Sequence, residues 1–291
     1  MNKERIFAFI SVLLASNVVR IVAQSLLKLS YVEFAGFHAL LVLIMLIVSA
    51  FAFKRLVKLN LLLLSVNAGY FISSVLSTTS LYASWFDSGT FIGQFGGSIL
   101  LKMAVAGLVA VVLLALLNLK AAFLSFGDLK VKADGIGWLG IPHQRISWGK
   151  LALISAILIS LGTFLGTVVT VTGFTFVRNT DILRSLLPYV LIYALGKSLF
   201  EGILYRNTII ASLSPVLSKN DIVILGALFF GVAHYFGAPG GPLGVVMSSA
   251  LGWYMCRSMV ETKGLFAPWL IHFFQDVVIF AAVILLGGFG L

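Results

Sequence analysis

The chain has 291 residues, of which 60% are apolar and only 10% are charged, whereas soluble globular proteins carry about 25% charged residues. These values exclude a soluble or disordered protein, because apolar surface on this scale must be buried in protein or in lipid. The single cysteine, Cys256, also excludes a disulfide framework and a thiolate metal cluster, so any metal site needs His and carboxylate ligands.

The apolar runs predict an all-α polytopic membrane protein with eight or nine transmembrane helices, since each helix needs about 20 predominantly apolar residues. The first run contains Arg20 and is followed by Lys28, so a partly interfacial position remains an alternative for it. The sixth is too long for one upright helix and is either tilted or interrupted near Pro188. The predicted spans are 6–27, 34–53, 59–80, 98–119, 149–173, 183–213, 220–238, 241–258 and 265–288.

The net charge of +10 follows the predicted topology and does not require a nucleic-acid partner. With the N-terminus in the cytoplasm, only Lys28, Arg178 and Arg184 fall in loops on the opposite side. This asymmetry is typical of cytoplasmic loops. The basic residues predicted on the cytoplasmic side are Lys3, Arg5, Lys54, Arg55, Lys58, Lys120, Lys130, Lys132, Arg145, Lys150, Lys219, Arg257 and Lys263.

The chain divides into N-terminal transmembrane helices over 1–120, a polar connector over 121–148 and a C-terminal transmembrane domain over 149–291. The connector is expected on the cytoplasmic side. Apolar runs before it are almost free of ionisable groups, and runs after it contain several, so we expect the chemistry in the second half. No internal repeat is evident, which disfavours a transporter built from two related halves.

Glu201 and Asp276 are the acids that lie clearly inside apolar runs, and His234 and His272 also lie well inside such runs. An ionisable group at that depth costs about 2.5 kcal/mol or more and by default marks a functional cavity. Arg206 follows Glu201 by five residues, about 140° around a helix, so the two need not contact the same ligand.

Two further spacings place polar residues on common helical faces. Phe230 with His234 and His272 with Asp276 are each four residues apart, and side chains at that spacing are neighbours on a helix. Counted from the predicted helix ends, His234 lies about 20 Å deep and His272 about 10 Å deep. Straight, upright helices would therefore not bring the two imidazoles to the same depth in the membrane.

The chemistry open to this set of residues is the activation of water. A desolvated Glu201 can accept a proton from water, while the two histidines position the water and stabilise an oxyanion. Alternatively, the histidines and both carboxylates hold a divalent metal such as zinc. Asp276 would fix the tautomer and orientation of His272, and Arg206 would pair with a carboxylate or with backbone carbonyls.

In order and spacing, these residues resemble the three motifs of the CAAX protease and bacteriocin-processing family of intramembrane endopeptidases, which includes the Ras-converting enzymes. The resemblance covers roughly 149–291. The matching residues are Glu201-Gly202 and Arg206 for Glu-Glu-x-x-x-Arg, Phe230 and His234 for Phe-x-x-x-His, and His272 and Asp276 for His-x-x-x-Asn/Asp.

The resemblance implies a CAAX-protease-like C-terminal bundle that hydrolyses a peptide bond, with Glu201 as the general base and Arg206 supporting it. The substrate would be a peptide or protein, including a membrane-anchored one. The best-known relatives cut prenylated CAAX peptides, but nothing in this sequence visibly recognises a prenyl group. Whether the reaction uses a metal or glutamate alone stays open.

Three alternatives compete with catalysis. Gly202 replaces the second acid of the first motif, which favours a non-catalytic scaffold or immunity protein of the same family. Intramembrane Lys102 and Lys197 also suit a small-solute transporter. Finally, Lys197 precedes Glu201 by four residues, so the two can form a purely structural ion pair, and His272 with Asp276 can form an inter-helix polar clasp.

Overall fold

A computed structural model describes residues 3–26, 29–86, 89–172, 179–237 and 239–286. The predictions made for Lys28, Arg178 and the end of the last span, 287–288, lie outside these residues. The described residues form helices joined by turns. The helices are α1 (Lys3–Ala15), α2 (Asn17–Leu26), α3 (Tyr31–Ala52), α4 (Val57–Ser77), α5 (Ser80–Trp85), α6 (Phe91–Leu116), α7 (Trp148–Thr172), α8 (Thr180–Glu201), α9 (Thr208–Leu213), α10 (Lys219–Ala233), α11 (Gly241–Thr262) and α12 (Phe266–Leu285).

Four short helical turns complete the fold. Those of the 3₁₀ type are Lys54–Leu56, Gly137–Leu139 and His234–Phe236, and one of the π type, Gly202–Asn207, connects α8 to α9. Pro188 lies inside α8 without ending it. The long sixth run is therefore one continuous helical segment, Thr180–Leu213, that contains a π turn after Glu201, and the interruption expected near Pro188 does not occur.

The chain is a multi-pass membrane protein, but the predicted eight or nine spans are not confirmed. Among the described residues, six helical segments are long and apolar enough to cross a bilayer. A seventh exists if α1 and α2, which bend by 53°, count as one broken span. The predicted spans 220–238 and 241–258 are absent from this set, since α10 has only 15 residues and α11 is less apolar than the spanning helices.

The helices that carry the motifs are held by helices from both ends of the chain. α12 packs between α7 and α8, α8 also contacts α6, and α6 contacts α4. One hydrophobic core includes Phe7 of α1, Leu59 of α4 and Ile210 of α9. The division into 1–120, 121–148 and 149–291 stays a prediction, but the N-terminal helices share their core with the C-terminal ones.

The connector folds back on itself and is attached to the bundle through Glu261 of α11. Antiparallel bridges join Lys132 to Ser147 and Ile136 to Ile141. The buried Glu261 carboxylate accepts hydrogen bonds from four groups. These are the Trp148 indole at 2.7 Å, the Asp134 backbone N–H at 2.9 Å, Lys219 at 2.8 Å and Arg257 at 3.0 Å.

Ion pairs place several of the basic segments at one end of the bundle. Lys219 of α10 pairs with Asp134 in the connector and, by this hydrogen bond, holds the pKa of that carboxyl below its usual value. Two residues away, Asp221 pairs with Arg5, and Glu4 pairs with Arg55. The grouping is the one that the loop charges predict, although which side of the membrane it faces stays a prediction.

Replacing Glu261 with Ala is expected to lower the free energy of unfolding by about 2–4 kcal/mol, because it leaves the Trp148 indole N–H and the Asp134 backbone N–H without an acceptor and removes a carboxylate shared by Lys219 and Arg257. The measurement is thermal or denaturant unfolding of the full chain in detergent. Asp128→Ala is the matched control, since within the described residues that connector carboxylate accepts a side-chain hydrogen bond only from the nearby Lys130 backbone N–H. Equal, small effects of the two substitutions would contradict the attachment role of Glu261.

Candidate active site

Glu201 ends α8 inside the protein, where its carboxylate contacts two lysines. The side chain is only 4% exposed. Lys102 of α6 pairs with Oε1, and Lys197, one helical turn earlier on α8, lies 3.6 Å from Oε2. Two ammonium groups therefore compensate for one buried negative charge, as an acid at this depth requires.

The third motif contributes the rest of this cluster from α12. Asp276 Oδ1 accepts a hydrogen bond from Lys197 Nζ at 2.6 Å. His272 Nε2 lies 3.6 Å from Glu201 Oε2 and 3.5 Å from Asp276 Oδ2. The structure thus brings together Glu201, His272 and Asp276, which are up to 75 residues apart in the sequence.

Polar atoms in the centre of this cluster lack hydrogen-bond partners. Glu201 Oε2, Asp276 Oδ2 and His272 Nδ1 are fully buried and make no hydrogen bond within the described part of the chain. A buried polar atom left in this state costs about 1–3 kcal/mol. Such atoms are rare in folded proteins, and functional sites are among the places where they occur.

His234 joins the cluster through Phe230, which is the other residue of the second motif. The Phe230 ring centroid lies 4.5 Å from the His234 ring and 5.5 Å from the His272 ring. Both imidazoles therefore pack against the same phenyl ring. His234 interacts electrostatically with Glu201, although within the described residues it forms no ion pair with it.

The tautomer of His234 follows from its backbone contact. His234 Nδ1 lies 2.9 Å from the Phe230 carbonyl oxygen, which can only accept a hydrogen bond. Nδ1 must therefore carry the proton, and in the neutral ring Nε2 keeps its lone pair. The 3₁₀ turn His234–Phe236 ends α10 at this point and leaves the imidazole half-buried.

Arg206 lies in the π turn and is fully buried, but it does not contact the Glu201 carboxylate. Its guanidinium donates to the Ser198 carbonyl oxygen at 3.4 Å and to Met255 Sδ at 3.5 Å, and its Nε has no partner in the described structure. The sequence suggested either a carboxylate or backbone carbonyls as partners of Arg206. In the structure, its oxygen partner is a backbone carbonyl. Any support that it gives Glu201 acts through the turn between them.

Gly202 lies directly against this guanidinium. A Cβ atom added at Gly202 would lie 2.8 Å from Arg206 Nη2, whereas its backbone is ordinary right-handed helix. A side chain at this position would therefore start beside the positive charge of Arg206.

Sequence reasoning underestimated the two lysines. The sequence predicts Lys197 as an ion-pair partner of Glu201, but its shorter contact is with Asp276. Lys102 enters the sequence analysis only as an intramembrane residue that suits a transporter, yet it pairs with Glu201. The available signal was charge balance, because two acids inside apolar spans require cations at the same depth.

The four candidate metal ligands do not assemble into a metal site. Among the described residues, no three His, Cys, Asp or Glu side chains are arranged to hold a metal ion. Both carboxylates are instead engaged by ammonium groups, which would repel a divalent cation. The residues do not fit zinc in this arrangement.

Fold and site define a class of protein: a polytopic helical membrane protein with a buried carboxylate and histidine cluster. Residues 183–278, which contain all three motifs, match the family model described as "Type II CAAX prenyl endopeptidase Rce1-like". The chain thus carries a domain of the Rce1-like CAAX protease family over these residues. No curated protein and no solved structure matched the chain.

Gly202→Glu, which restores the second acid of the family motif, is expected to unfold at a higher temperature than Gly202→Gln. In both variants the added Cβ forces the buried Arg206 guanidinium to shift, but only the carboxylate supplies the acidic partner that Arg206 lacks within the described residues. We expect the Glu variant to be more stable than the Gln variant by about 1–3 kcal/mol, the range for a hydrogen bond to a charged group. Gly202→Gln is the control of equal size without charge, and equal midpoints for the two variants would contradict the pairing.

Proposed function

We propose that the protein is an intramembrane endopeptidase that hydrolyses a peptide bond with a water molecule activated by Glu201. One observation carries the proposal: residues of all three motifs lie in a single buried cluster. The Phe230 ring packs against His234 and His272, and His272 Nε2 lies 3.6 Å from Glu201 Oε2. The family match over residues 183–278 supports the same reaction class.

Glu201 is the proposed general base. Its Oε2 atom is buried, has no hydrogen-bond donor within the described residues and lies beside an imidazole nitrogen. The nearby ammonium groups favour the ionised carboxylate, which is the form that accepts a proton. Glu201 takes a proton from water, the water oxygen attacks the peptide carbonyl, and Glu201 returns the proton to the leaving amine as the C–N bond breaks.

The histidines have complementary proposed roles. His234 keeps a lone pair on Nε2, because its Nδ1–H is used by the Phe230 carbonyl, and it can therefore accept a hydrogen bond from the attacking water. His272 Nε2, when protonated, can donate to the oxyanion of the tetrahedral intermediate. Asp276 Oδ2 lies 3.5 Å from the same nitrogen without hydrogen bonding to it, so its proposed role is to attract the Nε2–H electrostatically and leave that donor to the oxyanion.

The proposed substrate is a peptide or protein whose scissile bond reaches the membrane interior, which suits a membrane-anchored segment. The structural ion-pair alternative has its own support, since Lys197 and Glu201 do lie within 4 Å of each other. A measurement of activity separates the two, because a structural ion pair requires no turnover.

The test is cleavage of a quenched peptide library by the full chain in lipid nanodiscs, comparing wild type with His272→Gln. We expect kcat/KM to fall by about 10²–10³, the range for loss of one oxyanion donor. His38→Gln is the matched control, because His38 is also buried but bonds the Leu14 carbonyl oxygen, away from the cluster. Wild type without cleavage in several lipid compositions, or equal loss in both variants, would overturn the proposal.

A further inference from the structure

A cavity lies at the junction of the connector and α7. It has a volume of about 470 Å³ and is open to the surface. Lys132, Arg145 and Lys150 line it together with Ser147, Leu151 and Ile154. The cavity shares no residue with the Glu201 cluster.

The three cations at this cavity have no acidic partner. Within the described residues, none of their side chains takes part in an ion pair or a hydrogen bond, and all three are exposed. In the same connector, by contrast, Asp134 is paired with Lys219. Three like charges around one opening repel each other, and a bound anion relieves that repulsion.

The cavity also lies where a lipid headgroup would be. α7 is a candidate membrane span from Trp148 to Thr167, so Lys150 belongs to its first turn. From Lys150 a stripe of half-exposed apolar side chains continues along the helix at spacings of three and four residues. Its members are Ile154, Ile157, Leu158, Leu161 and Leu165.

We propose that this cavity binds an anionic phospholipid, with the phosphate held by Lys132, Arg145 and Lys150 and an acyl chain lying along the apolar stripe of α7. Basic pockets at the ends of transmembrane helices are suited to acidic headgroups. Arginine and lysine both form charge-assisted hydrogen bonds with phosphate oxygens. A free phosphate ion would satisfy the cations but would make no contact with the stripe.

The experiment uses the full chain in nanodiscs of phosphatidylcholine containing about one fifth phosphatidylglycerol. Lipids that stay bound after transfer to a mild neutral detergent are counted by native mass spectrometry. The test variant is Lys132→Gln/Arg145→Gln/Lys150→Gln. The control is Lys54→Gln/Lys58→Gln/Lys120→Gln, which removes the same charge from exposed residues that are also predicted on the cytoplasmic side.

For wild type and control we expect a preference of at least about tenfold for phosphatidylglycerol over phosphatidylcholine, and for the test variant a preference near one. Equal retention by all three proteins would overturn the proposal. A second arm adds inorganic phosphate at millimolar concentration. Binding of phosphate by wild type, with no more phosphatidylglycerol retained than by the test variant, would also overturn it, because the cavity would then be a site for the free anion and not for the lipid.

Discussion

Replacing Glu201 with Gln is expected to reduce peptide cleavage by about 10³–10⁴ in kcat, with little change in KM. The amide has nearly the shape of the carboxylate but cannot take a proton from water. Since Lys197 keeps its hydrogen bond with Asp276, the variant should still fold. The measurement is single-turnover cleavage of the best library peptide by nanodisc-embedded protein, normalised to the folded fraction.

Glu33→Gln is the matched control for this substitution. Glu33 caps the start of α3, where its carboxylate accepts from the Ser30 backbone and hydroxyl groups at the surface. Its loss should leave kcat unchanged. Activity of Glu201→Gln within about tenfold of wild type would rule out general-base catalysis by Glu201 and would favour the structural ion pair.

Replacing Lys197 with Met is expected to lower the free energy of unfolding by about 3–5 kcal/mol, the usual cost of removing one partner of a buried ion pair. Lys197 donates to Asp276 at 2.6 Å and also lies within 4 Å of Glu201. Without it, the Asp276 carboxylate stays buried with its main partner gone. The measurement is unfolding of the detergent-solubilised chain followed by intrinsic fluorescence.

A double-mutant cycle tests whether this cost comes from the pair. Lys197→Met/Asp276→Asn removes both charges, so its stability should exceed that of Lys197→Met by at least about 2 kcal/mol. The resemblance makes Asn a reasonable residue here, because the third motif allows Asn or Asp. Lys58→Met, an exposed lysine of α4, serves as the control with little expected effect. Additive effects of the two single substitutions would contradict direct coupling.

The membrane class and the motif residues followed from sequence because their signals are local. Apolar runs of about 20 residues need no tertiary context to be recognised, and His272 and Asp276 share a helical face by spacing alone. The number of spans did not follow. Both 220–238 and 241–258 are apolar enough to count as spans, but α10 ends at Ala233 after 15 residues.

Other features of the site depend on contacts between distant segments. The π turn after Glu201 inserts a residue into the helix, so the position of Arg206 relative to the carboxylate does not follow from a regular 3.6-residue period. That Arg206 reaches Ser198 and Met255, and that Phe230 lies between two imidazoles, requires the packed helices.

By itself, the sequence determined that this is an all-α membrane protein, which polar residues lie inside its apolar segments, and which of them share a helical face. Those properties depend on composition and on spacing within one helix. Only the tertiary structure decided that Lys102 pairs with Glu201 and Lys197 with Asp276. The physical reason is that any cation at the same depth can neutralise a buried carboxylate, and the packing of the helices determines which cation lies beside it.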